Sequence, residues 1–169
     1  MLNDNRRHQF ALQAGLPHTL GRNLKLAADL EGRGSDLRNW KGTLYLDTEA
    51  LKLDAIRHLL PDAALIVSGT ADLELWVGVG ALRAEWGSGG FTLHHLHLEN
   101  AAPDAQAFSV DSLDSRFHWQ AVDEHWQARL YGLELQREDN VVWPATDVQM
   151  TINTGSALTL SGGATLVVL

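Results

Sequence analysis

The stretch "FTLHHLHLEN", Phe91 to Asn100, places His94, His95 and His97 within four positions. Imidazoles at that density could hold zinc, because a catalytic zinc takes three protein ligands and a water. His95 and His97, two residues apart, would share one face of a strand, while His94 would point the other way. No HExxH pair accompanies them, and His118 and His125 stand too far along the chain to be assigned to the same site. The competing reading is a strand whose leucines point inward and whose histidines meet water.

Other candidate chemistry is thinner. Asp72 and Glu74 share a face, and paired carboxylates across a cleft are what glycoside hydrolysis requires. Acidic residues on the wet face of a sheet also serve solubility alone. No G-x-S-x-G elbow occurs, and "SGG" and "GSGG" lack the strand–loop–helix context of a phosphate cradle, so both read as turns. The chain has no cysteine, which removes disulfides, thiolate metal sites and cysteine nucleophiles together. The expectation is a protein that is not an enzyme and needs neither metal nor cofactor. Six tryptophans are the compositional excess. Trp76 and Trp86 flank one hairpin and Trp119 and Trp126 another; such rings stack on sugars, fill a β core or line an apolar groove.

The bulk properties narrow the partners. With 169 residues the chain can build one domain or one slice of a larger repeat. A net charge of −8, with Arg6-Arg7 as the densest basic pair, argues against nucleic acid and against an anionic membrane surface. The N-terminal "MLNDNRRHQF" has no apolar signal-peptide core, and no run approaches the ~18 apolar residues that span a bilayer. The sequence ends in "GGATLVVL", an apolar strand pattern where domains usually carry a polar tail, which suggests a segment of a longer protein.

The elements that must position these residues are strands. "HQFALQA" puts Phe10, Leu12 and Ala14 on one face, and "RNLKLAADLEG" does the same with Leu24, Leu26, Ala28 and Leu30. "KGTLYLD" sets Leu44 and Leu46 against Tyr45. "ADLELWVGVG" sets Leu73, Leu75, Val77 and Val79 against Asp72, Glu74 and Trp76. "LDSRFHWQA" sets Leu113, Phe117 and Trp119 against Arg116, His118 and Gln120. "HWQARLYGLELQRE", "TDVQMTIN" and "SALTLSGGATLVVL" continue the alternation. Turn signals separate the runs at short intervals: "GLPHTLG", "EGRGSD", "GSGG", "NAAPDAQ", "VDEH", "EDN" and "NTGS". Short spacing means an antiparallel meander, with one apolar face and one that can meet water. One short helix is predicted near 54–60, in "LDAIRHLLP", with Asp54 as its cap and Pro61 as its stop.

Two segments share the spacing L-x-x-L-x-L: Leu93, Leu96 and Leu98, and Leu130, Leu133 and Leu135. Keeping each trio on one face needs an extra residue, a β-bulge, at His94-His95 and at Tyr131-Gly132. Bulges at matching places would curve the sheet one way. Two short strands meeting at a turn give the same spacing. The residues thus describe a curved, mainly all-β domain whose apolar face must close on itself, pack on a second layer or hold apolar ligand.

The order of these features resembles the central region of YhdP-like proteins, in the AsmA-like family of Gram-negative bacteria. The resemblance runs over residues 10–150. It rests on "KGTLYLD" followed by "LKLDAIRHLLP", on the Trp119/Trp126 pair around a hairpin, on the L-x-x-L-x-L strands and on Trp143-Pro144. It implies a taco-like antiparallel β-groove in a periplasmic protein anchored in the inner membrane by parts outside this chain. The implied partners are phospholipids, with membranes reached through the rest of the protein. The expected lining is Leu73, Leu75, Val77, Leu93, Leu96, Leu98, Phe117, Trp119, Leu130, Leu133 and Leu135. These residues could instead pack a closed core, and the alternative function is a carbohydrate-binding β-sandwich using exposed tryptophans.

Overall fold

The computed structural model describes residues 2–3, 6–33, 36–56, 66–98, 108–123, 125–137, 139, 141–153 and 159–164. The predicted strands are all present, as β2 (Arg7–Gly15), β3 (Asn23–Glu31), β4 (Lys41–Lys52), β5 (Ile66–Gly80), β6 (Arg83–Leu98), β7 (Phe108–Val122), β8 (His125–Gln136), β9 (Val142–Asn153) and β10 (Thr159–Ala164). A two-residue β1 (Leu2–Asn3) precedes them. Together they form one ten-stranded sheet whose spatial order is the chain order, with every pairing antiparallel. Among the described residues β1 and β10 each have one neighbour, so the sheet is open. Among the described residues there is one sheet, whereas the sandwich alternative needs two.

The connections follow the sequence where the turn chemistry is local. β5 and β6 meet at Ala81-Leu82, both left-handed (φ 50° and 62°), as the tight hairpin turn between twisted strands requires. "VDEH" turns at Asp123 (φ 53°). "GSGG" does not turn. Gly87, Ser88, Gly89 and Gly90 lie inside β6 and pair on both sides. "NAAPDAQ" and most of "NTGS" lie outside the described residues.

The helix α1 (Leu53–Ile56) starts one residue earlier than expected, so Asp54 sits inside its first turn and is not its cap. Leu59, Leu60 and Pro61 lie outside the described residues. Leu53 is buried with Ala71, Leu96 and Val110, and Ile56, Leu93, Leu98, Leu113 and Leu135 pack around them. α1 therefore covers one end of the apolar face and builds a small core there.

Bulges interrupt the ladders at several places, three of them at a left-handed residue. β4 carries an extra residue against β5 between Thr48 and Leu51, and Ala50 there is left-handed at φ 50°. β6 carries one against β5 at His95 (φ 49°), and β8 one against β7 at Gly132 (φ 59°). The last two stand where the leucine spacing put them. The three stand on alternate strands, β4, β6 and β8.

Candidate functional site

Cross-strand partners share a face, so the registers can be followed across the whole sheet. One row runs Leu12, Leu26, Leu46, Leu75, Gly89, Phe117, Leu130 and Val148, from β2 to β9. The next row on the same face runs Phe10, Ala28, Leu44, Val77, Gly87, Trp119, Ala128 and Met150. Neither row contains a side chain that can hydrogen-bond apart from the Trp119 indole. At ~4.8 Å per strand, seven steps make a continuous apolar path of roughly 34 Å.

All eleven expected lining residues lie on this face, in two different settings. Leu73, Leu75, Val77, Phe117, Trp119 and Leu130 are half-buried on the open part. Leu93, Leu96, Leu98 and Leu135 belong to the core under α1, where Leu96 is only 7% exposed. Leu133 lies beyond the β8 bulge, half-buried opposite Thr146. The open part hollows into a space of about 380 Å³ lined by Phe10, Leu26, Ala27, Ala28, Leu44, Tyr45, Leu46, Leu75 and Val77. Of these, all but Leu75 and Val77 are absent from the expected lining, although the period-two pattern of Phe10, Leu26, Ala28, Leu44 and Leu46 carries the same signal as Leu75.

Two details keep the face apolar and smooth. Thr48 and Ser115, its polar residues between the rows and the core, are buried and spend their hydroxyls on backbone carbonyls. The Thr48 Oγ1 donates to Asn23 O at 3.0 Å, and the Ser115 Oγ lies 3.0 Å from Arg116 O and 3.2 Å from Tyr131 O. Gly87 gives Trp119 a seat: a Cβ there would stand 2.4 Å from the indole. Trp119 meets Trp126 edge to face, with centroids 4.8 Å apart, and Phe91 and Phe117 lie 6.1 Å apart.

The opposite face is polar. Lys25 pairs with Asp47 at 3.3 Å, and the Tyr45 hydroxyl lies 3.1 Å from Asp47 and 3.2 Å from Glu74. Partial burial, and then those two carboxylates, push the Tyr45 phenol up to about 12. Arg7 binds Asp29 with two guanidinium nitrogens, and Gln9 adds a third bond at 3.1 Å. The Arg7 bonds first, then Gln9, draw the Asp29 carboxyl down to about 2.

His94 and His97 lie on this side as well. The His95 bulge shifts the phase of β6, so His94 and His97 share the polar face, not His95 and His97 as strict alternation predicts. His94 lies 3.2 Å from Asp72, and His97 lies 2.8 Å from the Ser109 hydroxyl. Among the described residues no group of three His, Asp or Glu converges as metal ligands. The arrangement suits solvation of aliphatic chains along the apolar rows.

The sequence model described as "YhdP protein" matches residues 1–167. No curated protein and no solved structure matches the chain.

Proposed function

We propose, from the premise that this chain belongs to the YhdP protein family, that it is one β-groove segment of a bridge-like lipid carrier. In this reading phospholipid acyl chains lie along the apolar rows, perpendicular to the strands. The protein works in the periplasm of a Gram-negative bacterium, between inner and outer membrane, and parts outside this chain anchor it. Among the described residues no helix is long and apolar enough to cross a membrane.

The observation that carries the reading is the pair of apolar rows crossing eight strands without a charged residue. A compact domain would cover such a face, yet Phe10 and Leu12 are 44% and 45% exposed, and among the described residues α1 covers one end. Each methylene taken out of water there stabilises a bound lipid by ~0.8 kcal/mol. Continuity across strands matters more than any single contact, because a chain sliding along the rows meets the same chemistry at each step. Lipid extraction and mass spectrometry of the purified full-length protein test this. Co-purified phospholipid is expected, and protein free of lipid after extraction from membranes of its own host would refute the reading.

A further inference from the structure

The lipid reading leaves Trp76 and Trp86 without a role, since both stand on the polar face, opposite the apolar rows. Trp76 is 43% and Trp86 36% exposed, so part of each ring is open to solvent. The geometry points to a saccharide-binding site on this outer face, with Trp76 and Trp86 as stacking platforms for a neutral glycan.

The rings are held in place before any ligand arrives. Trp86 lies over Gly78, its register partner on β5, where a Cβ would stand 2.0 Å from the indole nitrogen. Only glycine at 78 lets the ring lie down against the sheet. Trp76 packs on Tyr45 at 4.3 Å, and the Tyr45 hydroxyl is fixed by Asp47 and Glu74. Fixed rings lose little entropy on binding and present their faces ready to stack.

Two hollows of about 350 and 630 Å³ adjoin at these rings, and Trp76, Thr43 and Asp29 line both. Polar groups of fixed direction therefore stand beside the aromatic faces, the combination that orients a small polar ligand. Asp29 stays ionised down to a pH of about 2, so it accepts hydrogen bonds from hydroxyls across the biological range. The larger hollow adds Glu31 and Glu85 against Arg7 and Lys41, three carboxylates to two cations. Arg7 is already bound to Asp29. That balance disfavours phosphate and other anions, whereas a polyol needs only acceptors and donors around an apolar platform.

The test titrates the full-length protein with chitohexaose, cellohexaose and a decaproline peptide, followed by calorimetry and tryptophan fluorescence. Saturable binding of at least one oligosaccharide is expected. Trp76→Ala and Trp86→Ala should each weaken it about tenfold or more, with Trp76→Phe falling between. Trp119→Ala, on the opposite face, should leave calorimetric affinity for the sugar unchanged. The proposal is overturned if neither oligosaccharide saturates, if both alanine variants bind as the wild type does, or if only decaproline binds. Lipid content is read separately, so failure here and failure of the groove reading are distinguishable.

Discussion

Asp72 joins two bulges: one carboxylate oxygen accepts the amide of Ala50 at 2.7 Å, and the other lies 3.2 Å from His94, next to the bulge residue His95. A bulge leaves the extra residue's amide without a ladder partner, and an aspartate on the next strand supplies one. Gly132 repeats the arrangement, donating its amide to Asp147 at 3.0 Å. Asp72→Ala should therefore destabilise the fold by about 1 kcal/mol, the net value of a part-exposed hydrogen bond with a charged acceptor. His94→Ala should cost less, since it leaves the Ala50 amide satisfied. Urea denaturation of both variants checks the order; equal costs would show that the histidine, not the bulge amide, is what Asp72 serves.

The left-handed residues predict effects of opposite sign. His95 and Ala50 hold φ near 50° with a Cβ, a conformation that disfavours L-residues by roughly 1–2 kcal/mol. His95→Gly should raise stability by a few tenths to about 1 kcal/mol, after the entropy that glycine loses on folding is subtracted. Gly132→Ala should lower it by about 1 kcal/mol, because open space around Gly132 leaves backbone conformation as the only obstacle. Thermal unfolding of the two variants should move in opposite directions.

The sequence made the faces legible because period two needs only local information, and each alternating run from Phe10/Leu12 to Phe117/Trp119 has its apolar set on one side. Two bulges were legible because leucines three apart have to be rephased to share a face. The third has the same spacing, Thr48, Leu51 and Leu53, with its left-handed residue at the same offset. It stayed hidden because a threonine opens it and the bulge residue is alanine. "GSGG" misled for a different reason: Gly87 answers to Trp119 on the neighbouring strand, so its glycine reflects a tertiary contact and not a turn. The split of the expected lining into open face and covered core depends on where Leu53 lands, which no local pattern encodes.

That split separates two substitutions that would otherwise look alike. Leu75 sits in the middle of an open row, half-buried, whereas Leu96 is buried under α1. Leu75→Asp should leave the protein folded and reduce co-purified phospholipid about tenfold or more, because an acyl chain crossing β5 would have to desolvate a carboxylate. Leu96→Asp should instead unfold the core, at more than about 3 kcal/mol. His97→Ala, on the polar face, should leave lipid content unchanged. Lipid mass spectrometry beside thermal unfolding resolves all three, and a folded Leu75→Asp protein carrying wild-type lipid would count against the rows as the path.

Tyr45 sets the alkaline limit. Its phenol is raised to about 12 by partial burial and by Asp47 and Glu74, against 10.0 when unperturbed. The folded state thus favours the protonated phenol. Its contribution is fully present below pH 10, where both states are protonated. It diminishes as pH rises from 10 towards 12, because the unfolded chain ionises first and is stabilised by doing so. Wild-type stability should therefore fall over that window by more than the stability of Tyr45→Phe, which has no phenol to lose. Subtracting the phenolate absorbance titration of Tyr45→Phe from that of the wild type isolates Tyr45 from Tyr131. A difference curve with its midpoint near 10 would show that the hydroxyl is not held between the two carboxylates. It would also remove the anchor that fixes the ring under Trp76.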